Sequence, residues 1–308
     1  MIETKGLTKY YGSLGALVDL DLHIADGDIF GFIGPNGAGK TTTMRILATL
    51  LEPTRGSAWI NGADVLKDGK KVRRMVGYMP DFMGVYDDLK VFEYLEFFAA
   101  AFGIERPKRR SVVEGVLELT DLTGKKATTV DSLSRGMQQR LGLARVLIHD
   151  PKVLILDEPA SGLDPRARIE MRVLLRELKR MGKTIMISSH ILSELEEISD
   201  NVGIIEQGRL VFSGSMEEIR RRTGLAGKVR LRVGGDQAAA AELLRTLPTV
   251  RDVQTNEDDI SLTFQDGVAN DGAVAKALVS ANFDVLSIIP EHIRLDEAFM
   301  QLTKGLVH

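Results

Sequence analysis

The sequence predicts an α/β fold on a largely parallel sheet, followed by a small α+β domain of β-α-β-β-α-β order. Three observations carry that expectation. Apolar runs of strand length alternate with longer stretches of helical period over roughly the first two-thirds of the chain. One of those strands runs directly into a glycine-rich loop that opens a helix. Beyond a glycine-containing break near residue 223 the elements become shorter and follow the ferredoxin-like order.

In chain order, Val18, Leu20, Leu22 and Ile24 alternate with Asp19, Asp21 and His23, the period of a half-buried strand. A second strand covers 29–33 and leads through the glycine-rich loop into a helix over about 39–51. Further strands are expected at 76–79, 153–156, 184–188 and 202–205, with helices at 91–102, 134–148 and 165–181. The character changes at Thr223-Gly224-Leu225-Ala226-Gly227, just after Arg220-Arg221-Arg222, which divides the chain into domains 1–222 and 223–308. The second domain reads as strand 229–233, helix 236–247, strands 250–255 and 259–264, helix 270–282 and strand 284–289, closed by a short helix at about 295–303.

Composition limits what such a fold can do. With 44% hydrophobic and 27% charged residues among 308, the chain is too apolar to be disordered. Forty basic against 43 acidic residues leave a net charge of −3, so no general nucleic-acid surface is expected. The absence of cysteine excludes disulfides and a thiol nucleophile. The five histidines are scattered rather than spaced as a metal cluster. The longest run free of Asp, Glu, Lys and Arg is 29–39, 11 residues, against the roughly 20 that a membrane-spanning helix needs. Met1-Ile2-Glu3-Thr4-Lys5 has no secretory apolar region. Work at a membrane would therefore require a partner.

The chemistry concentrates in three segments. Gly34-Pro35-Asn36-Gly37-Ala38-Gly39-Lys40-Thr41, continued by Thr42, fits the P-loop pattern between a strand and a helix. Its glycines let backbone N–H groups wrap around phosphates at a helix N-terminus. Lys40 should reach the β- and γ-phosphates, and the Thr41 hydroxyl should ligate Mg2+. Val153-Leu154-Ile155-Leu156 ends in Asp157-Glu158-Pro159, two carboxylates at the strand end where parallel sheets bind ligands. Asp157 would hold Mg2+ through water, and Glu158 would polarise the water that attacks the γ-phosphate. Leu133-Ser134-Arg135-Gly136 precedes an apolar helix, for which Ser134 is also a good N-cap.

The P-loop, Leu-Ser-x-Gly and Leu-Asp-Glu-Pro segments in this order resemble the ATP-binding-cassette (ABC) ATPase family, over about residues 1–220. Ser161-Gly162-Leu163-Asp164 matches its D-loop, and His190 its switch histidine. Tyr11 matches the aromatic that stacks on adenine, with Tyr10 the alternative. The resemblance implies a RecA-like core, an antiparallel β subdomain and a helical subdomain, with ATP and Mg2+ bound. It also implies that Ser134 and Gly136 close over the ATP of a second ABC subunit, a homodimer mate or a paralogue. Two departures stand out: Arg135 and Met137 replace the Gly and Gln of Leu-Ser-Gly-Gly-Gln, and Asp81 stands where the family usually has Gln. Asp81 either joins the Mg2+ site with Thr41 and Asp157 or faces solvent.

These variants and the C-terminal domain resemble ATPase subunits of drug-resistance-type exporters, which act beside a separate membrane permease. That resemblance implies a cytoplasmic protein held peripherally on the inner face of the membrane. A soluble ABC ATPase acting on ribosomes or DNA is the alternative. Residues 82–110 correspond to the segment that receives the permease, although the spacing of Phe92, Tyr94, Phe97, Phe98 and Phe102 also suits a helix core. The basic clusters at 70–74 and 106–110 read as solvated faces, or as contacts with an anionic membrane surface. The C-terminal domain would stabilise a dimer, regulate, or add packing.

Overall fold

A computed structural model of the chain describes residues 1–82, 84, 88–189, 191–222, 228–256, 259–265 and 272–290, with backbone alone at 220–222 and 290. The chain divides into two compact units, Met1–Gly214 and Ser215–His308. Helix Met216–Arg222 thus falls in the second unit, whereas the sequence reading ends the first domain at 222.

The first unit begins with β1 (Ile2–Tyr11) and β2 (Leu14–Ile24), an antiparallel pair, then β3 (Ile29–Ile33) and α1 (Lys40–Leu47). Next come β4 (Arg55–Ile60), β5 (Ala63–Asp64), α2 (Gly69–Met75) and β6 (Val76–Met79). Helices α3 (Val91–Ala101), α4 (Arg106–Leu119) and α5 (Arg135–Leu147) precede β7 (Val153–Asp157). The unit continues with α6 (Pro165–Arg180), β8 (Thr184–Ser188), α7 (Leu192–Ile198), β9 (Asn201–Glu206) and β10 (Arg209–Ser215).

Two sheets result. One is antiparallel in the order β2-β1-β4-β5. The other runs β10-β9-β3-β8-β7-β6, with β9, β3, β8, β7 and β6 mutually parallel. Every residue of β3, β7 and β8 is buried, as expected where helices cover both faces of a parallel sheet. The strand order differs from the sequence order, because β8 enters between β3 and β7. That crossover brings the ends of three strands distant in sequence to one edge of the sheet.

The helices form for local reasons. Asp164 accepts from Ala167 N (2.8 Å) at the start of α6, Pro165 follows it, and Lys179 and Arg180 close the last turn. Met171, Leu174, Leu175 and Leu178 make its buried stripe. In α3 only part of the aromatic series is core: Tyr94 is fully buried, while Phe97 and Phe102 are 51% and 46% exposed. The basic run 106–110 forms the first turn of α4, with Pro107 in that turn.

The second unit contains α8 (Met216–Arg222), β11 (Lys228–Gly234), α9 (Gln237–Arg245), β12 (Val250–Thr255), β13 (Ile260–Phe264), α10 (Ala273–Ser280) and β14 (Asp284–Pro290). Its sheet order, β12-β13-β11-β14 with antiparallel pairs throughout, is the ferredoxin-like arrangement expected from the sequence. Leu231, Leu244, Ile260, Leu262 and Leu278 are fully buried in its core. The helix expected at 295–303 lies outside the described residues.

Leu154, fully buried in β7, tests the central sheet. Leu154→Ala should cost about 2–5 kcal/mol of stability and lower the thermal midpoint. Leu50→Ala, at a position 62% exposed, should melt close to wild type.

Candidate active site

The site is built where β3, β8, β7 and β6 end. Register decides which side chains meet: Phe32 pairs with Ser188 across β3 and β8, and Ser188 with Asp157 across β8 and β7. Met79 pairs with Leu156, so Asp81 emerges two residues beyond β6 beside the same edge. Pro35 to Thr42, Asp81, Asp157 and Glu158 line a cleft of about 180 Å3 at this edge.

The loop from Gly34 to Gly39 turns tightly between β3 and α1. Gly39 takes φ 111°, a conformation disfavoured with a side chain, and a Cβ there would stand 2.6 Å from Ala16 O. Lys40, 7% exposed, extends back over the loop and donates to Gly34 O (2.6 Å) and Pro35 O (3.3 Å). Burial pulls its ammonium below the ordinary lysine value, while the nearby charges of Glu158 and then Asp157 act in the opposite sense.

Asp157 is buried and held from two sides. Thr41 Oγ1 donates to Asp157 Oδ2 (2.7 Å), and Ser188 Oγ donates to Asp157 Oδ1 (2.6 Å). The same Ser188 oxygen accepts from the Glu158 backbone N–H (2.9 Å). Glu158 occupies the left-handed region at φ 51°, a strained setting for a non-glycine residue and one that clusters at functional sites. Ser161 N–H donates to Glu158 O (3.0 Å) on its far side. Ser188 is thus part of the site although the sequence reading treated it only as a strand end. Tyr78 is not among the lining residues, though burial first and the charge of Asp157 second push its phenol above the usual value.

Not every expected residue reaches this cleft. Asp81 is among the lining residues and is at the same time exposed to solvent, so both alternatives stay open. Tyr11 lies 48% exposed at the end of β1 and is not among the lining residues. Ser134 and Gly136 are not among them either. Ser134 caps α5, accepting from Met137 N at 3.4 Å. Arg135 lies against the D-loop: Gly162 has φ 68°, and a Cβ there would collide with the Arg135 guanidinium. His190 lies outside the described residues.

The donors facing the cleft are oxygens and one ammonium. Thr41 and Asp157 already touch, with Asp81 on the same wall. Oxygen donors with one or two carboxylates suit Mg2+, which takes its remaining ligands from phosphates and water. Among the described residues no three His, Cys, Asp or Glu converge as a metal cage, so the side chains alone supply only part of such a coordination sphere.

Comparison with known proteins agrees with this geometry. The ABC transporter family matches residues 17–161. The chain is 37% identical to the bacitracin transport ATP-binding protein BcrA of Bacillus licheniformis, over 99% of this chain and 98% of that one. It is 35% identical to the daunorubicin resistance ATP-binding protein DrrA3 of Streptomyces coeruleorubidus, over 98% and 95%. Among solved structures, an ATP-binding subunit of an ABC transporter superposes with a TM-score of 0.67 at 31% identity, covering 74% of this chain and 95% of that one. The dimeric ABC transporter cassette MJ0796 superposes with a TM-score of 0.64 at 26% identity, over 70% and 98%.

Ser188 offers a direct test of the site. Ser188→Ala removes one hydrogen bond from Asp157 and another from Glu158 N–H. Turnover of ATP should fall by about ten-fold or more, with ADP affinity changed by less than about two-fold. Undiminished turnover would mean that Glu158 does not depend on this bond.

Proposed function

The chain belongs to the ABC transporter family, as an ATP-binding and ATP-hydrolysing subunit of its drug-exporter branch, and from that membership we propose how its residues divide the work. The observation that carries the proposal is the shared bonding of Thr41, Asp157, Ser188 and Glu158 at the mouth of the P-loop. The backbone N–H groups of 34–42 and the start of α1 receive the phosphates. Lys40 leaves the carbonyls of Gly34 and Pro35 to reach the β- and γ-phosphoryl oxygens, a move favoured because an anion compensates its desolvation. Thr41, Asp157 and Asp81 would hold Mg2+, which supplies charge neutralisation across the phosphates when bound. Glu158, oriented by Ser188 and by the Ser161 N–H, polarises the attacking water. His190 contacts the γ-phosphate, and Tyr11 stacks on the adenine.

Ser134 and Gly136 act on the nucleotide of a second ABC subunit, either another copy of this chain or a paralogue. Closing two such units over ATP and releasing them after hydrolysis would drive a separate integral-membrane permease. The exposed Phe82, Phe97 and Phe102, at 86%, 51% and 46%, support docking of that permease on residues 82–110. No helix among the described residues is long and apolar enough to cross a membrane, which fits a peripheral subunit on the inner face. The domain division near 222 and an accessory role for the second unit belong to the same proposal. The reading as a ribosome- or DNA-acting ATPase finds no support, since relatives matched along nearly their whole length are named for transport or resistance.

Glu158→Gln should keep ATP binding, reduce turnover at least about a hundred-fold and accumulate as a dimer in Mg-ATP on size-exclusion chromatography. Captured from detergent-solubilised native membranes, the tagged variant should bring a multi-spanning polypeptide in near-equal amount; recovery with soluble partners alone would refute the exporter reading. Asp81 is tested separately. Asp81→Gln should retain substantial turnover and Asp81→Ala lose most of it, whereas equal rates in all three proteins would remove Asp81 from the site.

A further inference from the structure

The end of β1 carries an arrangement that the reaction described above does not use. Lys9 Nζ lies 5.4 Å from the centroid of the Tyr11 ring, over its face. The same ammonium donates to Glu52 O at 2.7 Å. Lys9 and Tyr11 are two residues apart on one strand and therefore share a face. Glu52 belongs to the segment that follows α1, the helix whose first residue is Lys40. Two further bonds fasten this corner: Thr54 N–H donates to Thr8 O (2.8 Å), and Tyr10 N–H donates to Thr54 Oγ1 (3.0 Å). Tyr10, by contrast, packs toward the β1–β2 turn, where a Cβ on Gly15 would stand 3.1 Å from its ring.

We infer that Lys9 is a positioning residue for the nucleotide base: it covers one face of Tyr11, so that the other face receives adenine, and ties that ring to the segment leading out of the phosphate-binding helix. The inference rests on the reading of Tyr11 as the stacking residue. An exposed tyrosine ring turns about χ1 and χ2, and a cation held over one face restricts those rotations before the base arrives. The charge also draws ring π-density toward itself, easing the stacking of a second π-system on the opposite face. Hydrogen bonding to Glu52 keeps the ammonium in place without neutralising it, since a carbonyl carries no net charge. Arginine could supply the same cation over the ring; methionine could supply only the apolar stem.

The test separates base from phosphate. ADP and pyrophosphate titrations by calorimetry compare the full-length wild type with Lys9→Met, Lys9→Arg and Tyr11→Ala. Neither ligand is consumed by the hydrolysis assigned to the chain. Lys9→Met should weaken ADP by about two- to five-fold, with pyrophosphate affinity and the thermal midpoint unchanged, and Lys9→Arg should restore wild-type ADP affinity. Tyr11→Ala should weaken ADP more than Lys9→Met does, again sparing pyrophosphate. If Lys9→Met binds ADP as wild type does while Tyr11→Ala loses affinity, the role of Lys9 is refuted and the stacking role of Tyr11 stands. Parallel losses of ADP and pyrophosphate in Lys9→Met would refute it too, by showing a general effect on the P-loop. Unchanged ADP binding in Tyr11→Ala would refute the stacking reading and this inference together.

Discussion

A single hydroxyl at the end of β8 organises the catalytic edge. Ser188 can both donate and accept, and it does each toward a different residue of one short segment: the Asp157 carboxylate on one side, the Glu158 backbone N–H on the other. Because Asp157 also accepts from Thr41, the bond chain runs from the first turn of α1 to the end of β7 and back through β8. It exists only because β8 lies between β3 and β7 and pairs Ser188 directly with Asp157. A register slip of one residue would turn the hydroxyl to the other face of the sheet and leave the buried Asp157 carboxylate and the Glu158 N–H without it.

Backbone strain sits at the same place. Glu158 adopts a left-handed conformation that costs a non-glycine residue on the order of 1 kcal/mol or more. Two hydrogen bonds hold it there, through its N–H to Ser188 and through its carbonyl from Ser161. The consequence is directional: the chain turns sharply after Asp157, so consecutive acids take different surroundings. Asp157 stays buried against Thr41, while Glu158 turns into the cleft wall with the P-loop. Lys40 lies within reach of both charges, and its depressed basicity reflects burial that those charges only partly offset.

Much of this was legible in the sequence because the informative residues are consecutive. The P-loop, the apolar strand ending in Asp157-Glu158 and the cap Ser134 declare themselves through their consecutive residues. The second unit was legible as well, since each of its short elements is bounded by its own break or cap; Asp236, for instance, caps α9. What escaped depends on long-range pairing. Ser188 is an ordinary strand-end serine until the crossover puts it beside Asp157. β1 was overlooked because its apolar alternation is interrupted by Gly6 and by irregular pairing with β2. The basic run 106–110 hid the start of α4, because five mostly charged residues carry no apolar period even when they open a helix. The helix after the P-loop is shorter than the expected 39–51, because Thr49 turns to φ 63° just beyond its end.

The placement of Ser134 bears on how two chains would cooperate. Its Oγ accepts from Met137 N–H at the long distance of 3.4 Å, which uses one lone pair and leaves the hydroxyl hydrogen to donate elsewhere. A residue can therefore cap its own helix and still offer a hydrogen bond to a phosphate brought by a second subunit, so the capping and catalytic readings of Ser134 are not rivals. Arg135 adds a cation at a helix N-terminus, an arrangement the helix dipole disfavours in isolation. Its guanidinium rests over Gly162, a position that only a residue without a side chain leaves open. A phosphate approaching Ser134 and Gly136 would relieve the unfavourable charge. In the proposed dimer, the departure from Leu-Ser-Gly-Gly-Gln thus costs some stability in the separate chain and favours the closed, nucleotide-bound pair.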